Sequence, residues 1–316
     1  MKILKVKSLL PLRMDKYLLE QYPHLGLGRL NKALRENKIK LNGKKQPLST
    51  RVQAGDEIRL FILDEILEGG AAPEGPLYRS ARCPAEIIYE DEQVLVANKP
   101  AGLPTEDPAA PDTLYNRACL YLHGRGKSEE EINALRLCHR LDTGTSGLIV
   151  LAKNPHAEEV LTGWIRDRRV QKTYLCVTFG RPQPEEATLT GWLVKDSAQG
   201  RVKIYPKEVP GGKEVETQYE TLAFSGRLAL LQVRLITGRT HQIRAHLAGI
   251  GCPILGDSKY GNNAANRELR LKYQALCAYE LRFPQTSEEA FAPLSGRVLH
   301  APKPWYYGQI LDGALK

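Results

Sequence analysis

The sequence contains no long hydrophobic run. Its longest strongly apolar stretch is Leu148-Ile-Val-Leu-Ala152, whereas a helix that crosses a membrane needs about 20 consecutive apolar residues. The first ten residues alternate charged and apolar side chains and lack the continuous apolar segment of a secretory signal. We therefore expect a cytoplasmic protein that does not contact a membrane.

Paired cysteines and metal-ligand patterns are also missing. The six cysteines are scattered without a Cys-x-x-Cys pair, and a disulfide framework is typical of much shorter, secreted chains. His241 and His246 are close in sequence but have no Cys or acidic ligand pattern beside them. These absences predict reduced thiols and no metal site.

Three common enzyme motifs are incomplete or absent. His123-Gly-Arg-Gly-Lys-Ser128 ends like a phosphate-binding loop, but Tyr121 stands where the first Gly of that loop is required. Gly26-x-Gly28 lacks the third Gly of a dinucleotide fingerprint, and no Gly-x-Ser-x-Gly nucleophile elbow is present. Nucleotide hydrolysis, nicotinamide redox chemistry and the usual serine hydrolases are therefore excluded as leading hypotheses.

The positive charge is concentrated in the first fifth of the chain. The net charge is +9, and residues 1–63 alone hold 14 Lys+Arg against 5 Asp+Glu, so that the rest of the chain is neutral. This asymmetry predicts a basic module that meets a polyanion, attached to a neutral body. A Lys-rich surface that serves only solubility would give the same count.

The basic segment has the pattern of two helices and a hairpin. Residues 11–25 form one helical pattern, and residues 29–37 form a second after a predicted break at Gly26-Leu-Gly28. Lys38-Ile-Lys-Leu41 alternates like a strand and leads into Asn42-Gly43, a tight-turn signal. The basic residues that we predict to contact phosphates, without a code for reading bases, are Arg29, Lys32, Arg35, Lys38, Lys40 and Lys44.

This segment resembles a known RNA-binding module. Residues 13–63 are similar to the alpha-L module, first known from a small-subunit ribosomal protein. The similarity is carried by Arg13-Met-Asp-Lys-Tyr17, by Arg35-Glu-Asn-Lys-Ile-Lys-Leu-Asn-Gly43 and by Gly55-Asp56. It implies structured RNA, and not DNA, as the partner, without naming a reaction.

The rest of the chain has the pattern of a linker and a second domain. Glu68-Gly-Gly-Ala-Ala-Pro-Glu-Gly-Pro76 has no periodicity. We therefore predict an RNA-binding domain over 1–63, a linker over 64–85 and a catalytic domain over 86–316. The second domain shows many strand patterns without regular β-α-β alternation, which indicates an α+β fold with a mixed, mostly antiparallel sheet.

Two stretches of the body are dense in reactive side chains. Asp142 lies in a polar turn directly before the apolar run 148–152, so its carboxylate is a candidate nucleophile or base. Taken alone, a turn-capping role for this aspartate is the commoner outcome. The second stretch, Thr237-Gly-Arg-Thr-His-Gln-Ile-Arg-Ala-His246, would by itself indicate an Arg-bearing start of a surface helix.

Taken together, these stretches resemble the RluA-type RNA pseudouridine synthases. The resemblance covers about 86–305 and includes Lys172-Thr-Tyr174 at the family's usual interval after Asp142. Thr143-Gly144 replaces a commoner charged pair, and Cys277 stands in place of the usual His. The other matching motifs are His139-Arg-Leu-Asp-x-x-Thr-Ser-Gly-Leu148, Asn98-Lys-Pro-Ala-Gly102, Thr237-Gly-Arg-Thr-His-Gln-Ile-Arg244 and Gly251-Cys-Pro-Ile-Leu-Gly-Asp-Ser-Lys-Tyr-Gly261.

The resemblance implies that the protein isomerises uridine in RNA without a cofactor or a metal. Asp142 would be the catalytic carboxylate, acting either on C1′ or on the C2′ proton. Arg244 would hold it through a bidentate contact. Tyr174 would face the uracil and its hydroxyl could help to move the C5 proton, although Tyr174 could also serve packing alone. Arg140 would fill the space of the flipped base or bind phosphate. We assign Asp257 a structural role in its turn.

The resemblance also implies ribosomal RNA as the partner, because relatives with an alpha-L module usually act on the large subunit. We expect the protein to be monomeric. The alternative from another class is a non-catalytic RNA-binding or ribosome-assembly factor on the same fold. The presence of Asp142, Tyr174 and Arg244 together argues against it, since a binding module does not need that trio.

Overall fold

The computed structural model describes residues 2–8, 10–62, 67, 75–108, 110–196 and 199–315. Its contacts divide the chain into two compact units, one of residues 1–80 with 107–111 and one of residues 81–106 with 112–316. Much of the predicted linker 64–85 lies outside the described residues. Its described part includes a short 3-10 helix, Leu77–Ser80, in which Tyr78 is buried.

The first unit packs two helices against short antiparallel strands. Strands β1, β5 and β3 form one sheet in that order, and β2 pairs with β4. The helices cover an apolar core that includes Met14, Leu18 and Leu30. The elements are β1 (Lys2–Lys5), β2 (Leu12–Arg13), α1 (Met14–Gln21), a 3-10 helix (Pro23–Leu25), α2 (Gly26–Arg35), β3 (Ile39–Leu41), β4 (Arg51–Val52) and β5 (Glu57–Leu60).

Two local features of this unit bear on the sequence predictions. The predicted break is confirmed at Gly26, which ends the 3-10 turn with a φ of 61°, but it is wrong for Leu27 and Gly28, which already belong to helix α2. Asn42 and Gly43 have φ values of 49° and 77°. Both are positive, as a type I′ hairpin turn requires.

The second unit is built on a sheet of eleven strands. Their order is β12-β11-β13-β14-β10-β15-β9-β7-β6, with β16 paired to β15 and β8 to β9. The strands are β6 (Glu86–Glu90), β7 (Val94–Lys99), β8 (Arg136–Leu137), β9 (Ser146–Ala152), β10 (Gln171–Phe179), β11 (Glu186–Asp196), β12 (Arg201–Tyr205), β13 (Lys213–Ser225), β14 (Leu228–Leu235), β15 (Leu276–Arg282) and β16 (Val298–His300).

Among the described strands of this sheet, only β9 and β15 pair in parallel. The predicted α+β class with a mostly antiparallel sheet is therefore confirmed. The helices of this unit are α3 (Leu114–Gly124), α4 (Glu129–Ala134), α5 (Pro155–Arg166), α6 (Gln242–Gly249), α7 (Asn263–Glu268) and α8 (Trp305–Leu311), with a 3-10 helix at Glu289–Leu294.

Both faces of the central strands are covered. Along β10, Tyr174 and Cys176 belong to the core that includes Ile243 of α6. Leu175 and Val177 belong to the opposite core, which contains residues of α5. Successive residues of a strand point to opposite faces. Because both faces of β10 are buried at these four residues, they form a continuous apolar run. The sheet therefore brings β9, β10 and α6 into one region, where the reactive side chains gather.

Candidate functional site

Asp142 lies in a loop that is fixed on both sides. The loop follows β8 and leads into β9. The hydroxyl of Thr105 donates to the carbonyl oxygen of Leu141 at 2.8 Å and accepts its amide at 3.2 Å. The amide of Gly102 donates to the carbonyl oxygen of Thr143 at 2.7 Å. The backbone on either side of the aspartate is thus anchored to residues 102–105.

A fully buried lysine completes this anchor. The ammonium of Lys99 donates to three backbone carbonyl oxygens, those of Leu103 at 2.7 Å, Pro100 at 3.1 Å and Thr143 at 3.2 Å. Three acceptors match the three N–H groups of a charged lysine. Burial lowers the pKa of Lys99 to about 7, while the negative charge of Asp142 acts to raise it.

Arg244, on helix α6, holds the carboxylate of Asp142. Its Nη1 donates to Oδ2 of Asp142 at 2.7 Å. Its Nε and Nη2 donate to the two carboxylate oxygens of Asp257 at 2.6 and 2.9 Å. The predicted partner is therefore right but the predicted geometry is wrong: the bidentate pair is Arg244 with Asp257, and Asp142 receives one donor. This geometry leaves Asp142 partly exposed.

Asp257 has more than a turn-forming role, because it orients the arginine. It is completely buried, and its Oδ1 also accepts the backbone amides of Lys259 and Tyr260 at 2.8 and 3.0 Å. Burial would raise the pKa of Asp257, but the hydrogen bonds and charge of Arg244 and these amides outweigh it and hold the pKa below its usual value. Asp257 is therefore an ionised partner for Arg244.

Tyr174 is buried on β10. Burial raises the pKa of its phenol well above the usual value, and the negative charge of Asp142 adds to the effect. The hydroxyl therefore stays protonated near neutral pH. The ring belongs to the apolar core that includes Ile243 and Ala278, so Tyr174 also serves a packing role.

Arg140 lies at the solvent side of the same loop. Its side chain is 70% exposed, and its Nη1 donates to Glu106 at 2.9 Å. An ion pair this exposed contributes little, about 0 to 1 kcal/mol. The guanidinium is therefore available to a nucleic acid at low cost.

His241 is a further neighbour of Asp142, although its sequence pattern raised only the question of a metal ligand. Its Nε2 lies 3.6 Å from Oδ2 of Asp142, and its Nδ1 lies 3.1 Å from the hydroxyl of Tyr260. Burial lowers the pKa of His241, and Asp142 acts against that shift. Both His241 and Tyr260 stand in motifs that resemble the family, but sequence spacing gave no sign that they meet.

The six basic residues predicted to contact phosphates all lie in the first unit. Arg29, Lys32 and Arg35 are exposed on α2, opposite the buried Leu30 and Ala33. Beyond the helix, Lys38 pairs with Glu36 at 2.7 Å. Of the remaining two, Lys44 is exposed in the hairpin turn, and the ammonium of Lys40 lies 5.5 Å from the ring centroid of Phe61. The basic residues that we predict to contact phosphates therefore form a solvent-facing surface.

Membrane spans and metal clusters are both missing from the described residues. Within this part of the chain, no helix has the length and apolar character that a membrane span requires. The same residues contain no group of three or more His, Cys, Asp or Glu arranged to hold a metal ion.

Comparison with known proteins gives concordant matches. A family model described as RNA pseudouridylate synthase matches residues 93–249. The ribosomal large subunit pseudouridine synthase C of Rickettsia bellii is 37% identical over 270 residues, which cover 83% of this chain and 86% of that protein. The protein of the same name from Rickettsia conorii is 33% identical over 316 residues and covers 96% of this chain and 98% of its own.

A solved structure shares the fold. Human RNA pseudouridylate synthase domain containing 4 matches with a TM-score of 0.57 and 26% sequence identity. The match covers 72% of this chain and 92% of the human chain.

Proposed function

Because this chain belongs to the RNA pseudouridine synthases, we propose that its substrate is a uridine of large-subunit ribosomal RNA and that Asp142 is its catalytic carboxylate. The enzyme breaks the N1–C1′ bond of uridine, turns the uracil and forms a C5–C1′ bond. The proton leaves C5 and N1 gains one, so the number of bonds and the redox state are unchanged. Support for the ribosomal substrate comes from the similarity to the large-subunit synthases of Rickettsia.

One observation carries the role of Asp142. Its carboxylate is partly exposed, yet one oxygen receives a hydrogen bond of 2.7 Å from the buried Arg244, which lies far away in sequence. A charge-assisted contact of this kind is short and directional, so it fixes the orientation of the carboxylate. The aspartate is thus prepared to attack C1′ or to take the C2′ proton, and either step uses the same group.

Tyr174 and Arg140 take supporting roles in this proposal. A base inside folded RNA has to leave its stack before it reacts, which costs a few kcal/mol. The ring of Tyr174 offers an aromatic face to the flipped uracil. Arg140, exposed on the loop of Asp142, replaces the flipped base or binds a neighbouring phosphate. In this proposal the hydroxyl of Tyr174 helps to move the proton that leaves C5.

The first unit takes the role of RNA docking. Arg29, Lys32 and Arg35 form an exposed basic stripe on α2, and contacts of Lys and Arg with phosphates dominate the affinity for nucleic acids. The body of the chain is neutral in net charge. The proposal therefore divides capture of RNA from the chemical step.

The test is release of tritium from RNA that carries [5-³H]uridine. The wild-type protein releases tritium from large-subunit ribosomal RNA, and Asp142→Asn releases none while RNA affinity changes less than twofold. Asn has nearly the same shape but no carboxylate, so it separates chemistry from packing. Asp167→Asn is the matched control, because Asp167 pairs with Arg166 on an exposed helix end.

Two results would contradict the proposal. RNA binding by the wild type without tritium release would favour a non-catalytic RNA-binding factor. Full activity of Asp142→Asn would move the chemistry to another residue. Mapping of pseudouridines in total RNA, with and without the gene, then identifies the target position.

A further inference from the structure

The two oxygens of the Asp142 carboxylate have different surroundings. Oδ2 accepts the hydrogen bond from Nη1 of Arg244 at 2.7 Å and also faces Nε2 of His241 at 3.6 Å. Among the described residues, Oδ1 has no hydrogen-bond donor. The described neighbours of the carboxylate are therefore arranged around one of its two oxygens.

His241 is held in an unusual backbone conformation. Its φ and ψ are 56° and 13°, in the left-handed region, directly before helix α6. Residues other than Gly rarely adopt this region, although His, Asn and Asp tolerate it better than most. Such strain often accompanies functional sites. Here it accompanies an imidazole whose two nitrogens face Asp142 and Tyr260.

The hydroxyl of Tyr260 contacts Nδ1, the ring nitrogen of His241 that faces away from Asp142. The hydroxyl oxygen of Tyr260 accepts the amide of Val202 at 2.7 Å. Nδ1 of His241 lies 3.1 Å from the same oxygen, so it is an available acceptor for the Tyr260 O–H. An Nδ1 that accepts has no hydrogen, so the neutral ring carries its hydrogen on Nε2, the nitrogen that faces Asp142. The lowered pKa of His241 agrees with a neutral ring.

Tyr260 also contacts the other partner of Asp142. The guanidinium of Arg244 lies 5.2 Å from the centroid of the Tyr260 ring, a distance typical of cation–π contacts. The ring of His241 meets the same tyrosine edge-on, with centroids 5.6 Å apart. One side chain thus supports both groups that face Oδ2.

We propose that His241 is a positioning residue for Asp142, oriented by Tyr260. The Nε2–H of His241 donates to Oδ2 once substrate fills the site, so that His241 and Arg244 together fix the rotation of the carboxylate. Oδ1 is then the oxygen that reacts. The present separation of 3.6 Å is too long for a hydrogen bond, but catalytic hydrogen bonds often shorten only in the complex with substrate. This inference rests on the proposed role of Asp142.

The experiment compares variants by single-turnover tritium release and by RNA binding. Asn tolerates the left-handed backbone but is too short to reach Oδ2, so His241→Asn tests the contact without unfolding the turn. We expect it to react about tenfold more slowly, the size expected when a hydrogen bond to a charged group is removed, with RNA affinity unchanged. His241→Gln places an N–H near the position of Nε2 and recovers part of the rate.

The orientation of His241 by Tyr260 has its own test. Tyr260→Phe removes only the hydroxyl, and we expect a slower reaction with unchanged RNA affinity. If Tyr260 acts through His241, the double variant is no slower than His241→Asn alone. The matched controls are His300→Asn and Tyr121→Phe, whose partners are Glu280 and Glu90; both keep the wild-type rate.

The possible failures are distinguishable. A wild type that releases no tritium contradicts the proposed function and this inference with it. An active wild type together with a fully active His241→Asn contradicts this inference alone. A loss that is confined to RNA affinity, or no recovery in His241→Gln, overturns the positioning role. A double variant that is slower than His241→Asn, by the factor that Tyr260→Phe alone causes, overturns the inference that Tyr260 acts through His241.

Discussion

At the scale of single residues, the site depends on buried charges that share partners. Arg244 is buried and donates to Asp142 through one nitrogen and to Asp257 through two. Lys99 is buried and donates to three carbonyl oxygens. A buried charge without its partner keeps its desolvation penalty. Residues that never touch the RNA are therefore expected to affect the reaction strongly.

Asp257→Asn tests the pair that orients the arginine. The amide keeps one acceptor oxygen but lacks the negative charge, so Arg244 stays buried with less compensation. We expect the free energy of unfolding to fall by about 3 kcal/mol and tritium release to slow more than tenfold. Urea unfolding and single-turnover kinetics measure the two effects. Asp167→Asn, which alters an exposed pair with Arg166, leaves both unchanged; equal effects of the two variants would contradict the prediction.

Lys99→Met tests the buried ammonium through the pH dependence of stability. The pKa of Lys99 is 10.5 in an unfolded chain, and burial lowers it to about 7 in the folded protein. Between these values the unfolded state binds more protons, so the free energy of unfolding rises with pH. The variant lacks this proton. From pH 7 to pH 9 the free energy of unfolding of the wild type therefore rises by about 2 kcal/mol relative to that of Lys99→Met, as measured by urea unfolding. A constant difference would refute the lowered pKa.

At the scale of elements, the loop of Asp142 depends on how closely β9 approaches β15. Gly147 of β9 stands opposite Ala278 of β15 in the parallel pair and has a φ of 110°. A Cβ atom at this position would overlap the backbone of Ala278. Glycine therefore permits the two strands to pair directly beyond the loop of Asp142.

Gly147→Ala tests this close approach. The added methyl group has no space and the backbone conformation is unfavourable for Ala, so we expect a loss of about 3 kcal/mol in the free energy of unfolding. Thermal unfolding measures it. Gly124→Ala is the matched control, because Gly124 lies in helix α3 with open space around the position of its Cβ. That variant is unchanged or slightly more stable. A Gly147→Ala protein as stable as the control would contradict the argument.

At the scale of the whole molecule, charge and chemistry are assigned to different parts of the chain. All of the excess positive charge lies in residues 1–63, and the remainder is neutral. Asp142, Arg244 and Asp257 lie in the second unit. This division agrees with separate roles in binding and in catalysis, and the salt dependence of RNA binding distinguishes it from a basic surface that serves only solubility.

Deletion of residues 1–63 tests this division. We expect weaker RNA binding and a flatter dependence of affinity on salt. Each phosphate that the protein no longer neutralises reduces the steepness of the plot of log affinity against log salt concentration by about 0.7 to 0.9. Binding curves at several salt concentrations measure both. A subtler variant replaces Arg29, Lys32 and Arg35 by Gln. Its charge-matched control replaces the exposed Arg166, Arg168 and Arg169. An unchanged slope in the deletion protein would refute the docking role.

Much of the fold and the identity of the central residues follow from the sequence. Alternating apolar runs predict the strands, because a half-buried strand needs a period of two. The charge asymmetry predicts a module that binds a polyanion, and the family resemblance of the motifs around Asp142, Tyr174 and Arg244 implies an RNA-modifying enzyme. These features are local or compositional, so the order of residues along the chain is enough to reveal them.

The tertiary structure alone decided how these residues meet. The sequence predicted a bidentate pair of Arg244 with Asp142, but the folded chain gives that geometry to Asp257 and brings His241 and Tyr260 to the site. It also buries Lys99 against the loop of Asp142. Local patterns determine which face of a strand or helix is apolar. Which buried donor meets which acceptor depends on packing between segments far apart in sequence, and spacing does not encode it.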